Sequence, residues 1–142
     1  MASANMNLVR SIFAGWERGD FRSVEWAHPG IEWVMADGPV PACWTGLGGM
    51  TEGWREFRSA WEEYRFEADE YRELDGEGVL VLGRFSGRGK KSGLELGQIR
   101  SKAARLFHVR GGKVTRLVIY LDREGALVEL WREGYEGWAR GA

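Results

Sequence analysis

The chain has 142 residues, enough for a single domain, 1–142, with a substantial core. Its 20 lysines and arginines nearly balance 21 aspartates and glutamates, so neither a basic nucleic-acid surface nor an acidic disordered tail is expected. Cys43 stands alone, which leaves no intrachain disulfide framework and fits a reducing, cytoplasmic setting. Arg10 and Glu17 interrupt the apolar pattern at the N-terminus, which therefore reads as neither a signal peptide nor a membrane span. Eight tryptophans must each be buried or presented to something. They imply either a tryptophan-heavy core or an aromatic-lined pocket.

In chain order, Leu8, Val9, Ile12, Phe13 and Trp16 recur at helical spacing and predict an amphipathic helix over 5–18. Gly19 ends it, and Asp20 can cap a second short helix with Phe21, Val24 and Ala27 on its face. His28-Pro29-Gly30 breaks that helix and 31–36 reads as a strand, with Trp33 and Met35 on one face. A loop follows over 37–41. Met50, Trp54, Phe57 and Trp61 then mark one strongly apolar side of a third helix. Residues 64–74 alternate loosely, as an edge strand charged on one face. Turns at 75–78 and 89–93 separate strands over 79–88 and 94–109, the last with an expected bend near Gly97 or Ser101. After Gly111-Gly112 come a strand over 114–121 and a short helix opened by Asp122. Hairpin-linked strands with helices gathered on one side make an α+β domain with no repeats and no linker.

The last two strands are apolar on both faces, so each face needs a cover. A two-residue Gly-Gly turn would pair Arg110 with Lys113; a three-residue turn would pair Val109 with Lys113. The second is preferred, because it puts Ser101, Ala103, Arg105 and Phe107 with Thr115, Leu117, Ile119 and Leu121, an apolar bed for the helices. Leu106, Val114, Val118 and Tyr120 then lie outside, beside Val79, Val81 and Phe85. So apolar a face predicts a homodimer across it. The rival cover is the C-terminal segment with Trp131, Tyr135 and Trp138.

This layout resembles the SnoaL-like branch of the nuclear transport factor 2-like superfamily. The resemblance spans residues 5–131 and is carried by Gly112-Lys113-Val114 and by Tyr120-Leu121-Asp122 running into Arg123-Glu124-Gly125-Ala126-Leu127. His28-Pro29-Gly30-Ile31-Glu32-Trp33 and the break at Gly19-Asp20 add to it. It implies a cystatin-like cone: a curved antiparallel sheet wrapped around three N-terminal helices, with a short C-terminal helix and a cavity between. It implies no single chemistry. The isomerases of the superfamily use a tyrosine and a carboxylate where Ile12 and Met35 stand here. Its epoxide hydrolases use Asp-Arg-Asp, for which the chain offers Arg84, Ser86 and Ile119. Its scytalone dehydratase relies on pocket histidines, whereas His28 sits at a helix end and His108 on the face away from the pocket.

Arg84, expected to point into the cone, is the leading polar anchor for a carboxylate or enol oxygen. The competing reading is an arginine satisfied by Asp37 or a helix carboxylate. Asp37 at the mouth is a weak acid/base candidate, set against ordinary Asp-Gly turn chemistry. Arg105 either lines the pocket or snorkels out at its rim. Asp122 reads as a helix cap. Two histidines and one cysteine, far apart in sequence, predict no metal, and no cofactor is implied.

The leading expectation is a small-molecule-binding cone lined by Ile12, Trp16, Trp33, Met35, Phe57, Trp61, Arg105, Phe107, Leu117 and Ile119, anchored by Arg84 and opening near Trp33, Asp37 and Arg84. Its partner would be a small hydrophobic molecule, with an anionic group as one option. The alternative is a cyclase-, isomerase- or dehydratase-like enzyme acting on a polyketide or terpenoid, with Asp37 as acid/base and Arg84 and Ser86 holding the oxyanion. A third reading is an interaction module whose cone is packed shut.

Overall fold

A computed structural model describes residues 3–20, 23–37, 41–74, 77–89 and 98–132. Helix α1, Ala4–Glu17, is capped by Ser3, whose hydroxyl accepts the Met6 amide at 3.1 Å. It buries Met6, Val9, Ile12 and Phe13, the stripe its spacing predicts. Strand β1, Ala27–Met35, turns Ile31, Trp33 and Met35 inward. Strand β2, Ala42–Thr45, pairs back on it antiparallel, and helix α2, Gly46–Ala60, buries Met50, Gly53 and Phe57. Strands β3 (Trp61–Leu74), β4 (Gly78–Gly89), β5 (Gln98–Arg110) and β6 (Lys113–Tyr120) form a meander, and helix α3, Arg123–Arg132, follows.

The sheet order is β2-β1-β6-β5-β4-β3. All neighbours are antiparallel except β1 and β6, which run parallel. The α+β cone is as expected, with corrections to its detail. Among the described residues only two helices precede the meander. Where a second short helix was predicted, residues 25–26 form a turn and Ala27 already belongs to β1. Phe21 lies outside the described residues. The reason is tertiary: Val114 donates its amide to the Trp26 carbonyl at 2.8 Å, so β6 draws this segment into extended pairing. His28-Pro29-Gly30 accordingly lies inside β1, at a shift of register between Ala27 and Glu32, rather than breaking a helix. Trp61, read as the end of the third helix, opens β3.

The Gly-Gly turn also differs from the preferred reading. Arg110 pairs with Lys113 across a two-residue loop, with Gly111 and Gly112 both at positive φ (60° and 77°), as a hairpin turn matched to strand twist requires. A one-residue bulge then intervenes, because Val109 faces Val114 but His108 faces Arg116. The bulge restores the expected faces for Ala103, Arg105, Phe107, Leu117 and Ile119, and turns Val114 inward. No register shift occurs at Ser101, which faces Phe85 in an unbroken ladder. The bend expected near Gly97 lies outside the described residues.

The outer face is not bare. Ala126 and Leu130 of α3 pack on Leu74, Leu80, Leu82, Ala104, Leu106, Val118 and Tyr120. Val79, Val81, Phe85 and Val114, expected outside, belong to the inner core. In the first half of β4 Val79, Leu80, Val81 and Leu82 are all apolar, so composition there cannot tell the faces apart. The patch that motivated a dimer across the open sheet is therefore covered within the chain. Asp122 caps α3, with its carboxylate accepting the Glu124 amide at 3.2 Å.

Candidate functional site

Two bulges in β3 shape the open side of the cone. The ladder with β4 shifts between Glu62 and Arg65, where Glu63 takes φ of 51°. Positive φ costs a non-glycine residue conformational energy. It lets both Trp61 and Tyr64 face inward although they are three residues apart. A second shift, between Ala68 and Glu70, turns Tyr71 inward as well. Tyr64, Phe66 and Ala68 consequently form one wall.

Opposite them, α1 contributes Phe13, Trp16 and Glu17, and α2 contributes Trp54. The space between is an open cleft of about 740 Å³, with Arg105 at its base. Trp16 and Trp54 meet edge to face at 5.5 Å, and Tyr64 meets Phe57 edge to face at 4.9 Å. Edge-to-face ring pairs of this kind hold walls in fixed orientations.

Arg105 is 4% exposed. Its cross-strand neighbours, Val81 and Ile119, are both apolar. Its guanidinium carbon lies 4.3 Å from the Phe66 ring centre, 5.4 Å from Trp16, 5.6 Å from Trp54 and 5.8 Å from Phe13. Such contacts attract a cation to ring faces but supply no strong acceptor. Nε has no hydrogen-bond partner, and no carboxylate pairs with the side chain among the described residues. Burial pushes its pKa down to about 10, opposed only by neighbouring Tyr64.

Arg84 does not point into the cone. Its side chain is 62% exposed on the outer face and donates to Asp69 at 3.1 and 3.2 Å and to Glu67 at 3.2 Å. The hydrogen bonds to Asp69 raise its pKa. It is thus a self-satisfied arginine, though with strand partners rather than Asp37 or a helix. Ser86 shares the outward parity of Arg84 on β4 and does not line the cleft. Asp37 is committed to structure: its carboxylate accepts the amides of Leu121 at 2.7 Å and Asp122 at 3.1 Å, tying the end of β1 to the junction of β6 and α3. Asp37, Arg84 and Ser86 therefore form no common centre, and among the described residues Trp33 is fully buried, in ring contact with Trp44 and Trp54, and borders no opening.

Of the residues expected to line a pocket, Trp16 and Arg105 line the cleft. Trp33, Met35, Phe57, Trp61, Phe107, Leu117 and Ile119 face the cone interior but are closed off as packed core, and Ile12 is buried on α1. The sequence reading missed Phe13, Trp54, Tyr64 and Phe66 as cleft residues. The alternation of Tyr64, Phe66 and Ala68 with Glu63, Arg65 and Glu67 was the available signal. His108 lies on the outer face in a groove with Arg116, Val118 and Tyr120. Burial and then the Arg116 charge hold its imidazole below the ordinary range.

A six-stranded curved sheet folded over two helices, with a cleft at one side, is the architecture of the nuclear transport factor 2-like proteins. Residues 9–117 match the SnoaL-like domain, and the chain belongs to that family. Among solved structures it resembles a nuclear transport factor 2-like protein of unknown function from Burkholderia pseudomallei, at 20% identity, covering 89% of this chain and 97% of that one with a TM-score of 0.72. It is also similar to TerC, crystallised with polyporic acid, at 23% identity, covering 90% and 98% with a TM-score of 0.69. A Xanthomonas campestris protein provisionally named a polyketide cyclase is 16% identical over 89% and 96% of the two chains, with a TM-score of 0.69. At these identities the likeness is one of fold. No match was found among curated proteins. No described helix is long and apolar enough to cross a membrane.

Proposed function

We propose that this SnoaL-like domain binds a small hydrophobic molecule in the cleft walled by Trp16, Trp54, Tyr64 and Phe66, with Arg105 taking the anchoring place first given to Arg84. What supports this reading is the asymmetry of the cone. The half built on β1 and β6 is filled by its own side chains, while the half under β3 leaves about 740 Å³ open between aromatic walls. A concavity that joins aromatic walls (Phe13, Trp16, Trp54, Tyr64 and Phe66) to polar groups at its base and rim offers a small molecule both apolar contact and orientation. TerC, of the same fold, is crystallised with polyporic acid, a small-molecule precedent.

The test is to fill the cleft. Ala68 lies on its wall, half-buried. Ala68→Trp is expected to weaken binding of the neutral probe methyl 2-naphthoate at least about ten-fold, since an indole takes the probe's apolar contacts. Arg84→Leu, on the opposite face, leaves the affinity unchanged. Calorimetric titration reads both. Equal affinity in Ala68→Trp and the native protein would remove the cleft as the site.

The cyclase-, isomerase- or dehydratase-like alternative passes from Asp37 to Tyr64, whose phenol shares the cleft with Arg105. A polyketide or terpenoid there would meet a hydroxyl beside a cation, a pairing suited to holding an enolic oxygen. The lone exposed thiol of Cys43 supports a cytoplasmic setting.

Self-association belongs to the same proposal, moved from the open sheet to α3. Val128 and Trp131 on that helix are 51% and 68% exposed, and the groove beside it is lined by Val34, His108, Arg116 and Glu129. Light scattering is expected to give twice the 16.1 kDa chain mass, falling to one chain in Trp131→Glu. A native monomer would refute it.

A further inference from the structure

We propose that the ligand of this cleft is a monoanion, a conjugated body whose single charged oxygen, as carboxylate or enolate, is the missing counter-ion of Arg105. The inference rests on the hydrophobic-ligand reading above and narrows it. Arg105 is 4% exposed, its strand neighbours are Val81 and Ile119, and its Nε has no hydrogen-bond partner among the described residues. Buried charges in folded proteins are ordinarily paired, because an unpaired one carries its full desolvation cost. Four rings soften that cost without removing it, since they offer no lone pairs to a fork of five N–H donors. An oxyanion entering the cleft would supply both the charge and the acceptors.

The body of the ligand follows from the walls. Phe13, Trp16, Trp54 and Phe66 surround the guanidinium and Tyr64 lines the same cleft, aromatic walls that suit a flat, conjugated framework. Its charge follows from the rim. Glu17 and Glu67 line the same cleft with Arg65, and Glu67 is itself paired to Arg65 and Arg84. Apart from Arg105, the lining thus carries two acids, Glu17 and Glu67, against one base, Arg65, a rim one charge to the negative side. One negative charge can be neutralised at Arg105; a second, as on a phosphate monoester, would meet the rim carboxylates in a partly desolvated setting. Tyr64 adds a hydroxyl that can donate to the same oxygen.

The experiment titrates the full chain calorimetrically with three probes of one shape: 2-naphthoate, methyl 2-naphthoate and 2-naphthyl phosphate. The native protein is expected to bind the carboxylate about ten- to a hundred-fold more tightly than the ester, the range for one charge-assisted contact. It binds the phosphate more weakly than the carboxylate. Arg105→Met should abolish the preference for carboxylate over ester, costing the carboxylate far more affinity than the ester, whereas Arg105→Lys, which keeps the charge but not the fork, retains part of the preference. Equal native affinity for acid and ester overturns the inference while leaving hydrophobic binding intact. Tighter binding of the phosphate overturns the monoanion. A carboxylate preference that survives Arg105→Met removes Arg105 as the counter-ion. Binding of none of the three by the native protein overturns the hydrophobic reading and this inference with it. The native series decides the charge class even if Arg105→Met fails to fold.

Discussion

Replacing Arg105 by methionine is expected to make the ligand-free protein more stable, by about 1–4 kcal/mol, the range for buried ionic groups that give way to apolar ones of similar volume. The site is ready for such an exchange: Val81, Ile119 and four aromatic rings already surround the side chain, and no hydrogen bond would be lost at Nε. The pH dependence has a definite sign. Burial brings the folded pKa down to about 10, so the folded state disfavours the proton that the unfolded chain still holds. Below about pH 10 both states carry that proton, and the penalty is constant and fully present. As pH rises through the folded value, the native chain sheds the proton first and recovers stability relative to the variant. Urea denaturation at pH 7 should therefore show the full gain, narrowing only in alkaline buffer above the folded value. A destabilised variant at pH 7 would show that Arg105 is structural. A more stable protein that has lost its acid preference is what a functional charge held at the expense of the fold predicts.

Gly83→Ala is expected to destabilise by about 3 kcal/mol, at the upper end of overpacking costs. A Cβ at this position would lie 2.7 Å from Cζ of Phe66 and closer still to the Glu67 carbonyl oxygen. That oxygen belongs to strand β3, so relief requires the ladder itself to move. The Gly83 carbonyl also accepts from the Arg123 guanidinium at 2.9 Å, linking this point to α3. Because Phe66 stacks on Arg105, the displaced ring should weaken ligand binding too. Thermal unfolding followed by circular dichroism measures the first effect, as a drop in Tm on the order of 10 °C for a domain of this size. An unchanged Tm would mean that β3 yields freely, against the charge ladder that fastens it.

The fold was legible because its signals are periodic. The stripe of α1, the apolar side of α2 and the Gly-Gly hairpin each survive a shift of one or two residues at their ends. The inner face of β5 was legible too, since helices need an apolar bed and Ala103, Arg105 and Phe107 share it. The site was harder, because strand faces depend on counting. β4 is apolar at Val79, Leu80, Val81 and Leu82 alike, so its first half is silent. The signal lay further on, where Arg84, Ser86 and Arg88 share the parity opposite to Phe85, and Phe85 rather than Arg84 faces inward. β3 changes face twice through extra residues near Glu63 and Asp69, which no pattern announces. Tyr64 and Phe66 reach the cleft only because of the first of these. Asp37 looked like a free mouth carboxylate until the amides of Leu121 and Asp122 came to lie beside it.

The parallel pairing of β1 with β6 sets an order of assembly. The four strands β3 to β6 are joined by hairpins and can zip in sequence from local contacts. β1 and β2 are made first, yet β1 finds its sheet neighbour only when β6, the last strand, exists. Distant pairings of this kind slow folding, because chain entropy is spent before they reward it. During synthesis the β1–β2 hairpin therefore waits with the apolar side of Trp33 and Met35 uncovered by the sheet. The cone closes from its C-terminal half, and a nascent chain stalled before β6 would carry an open edge that invites association with other chains.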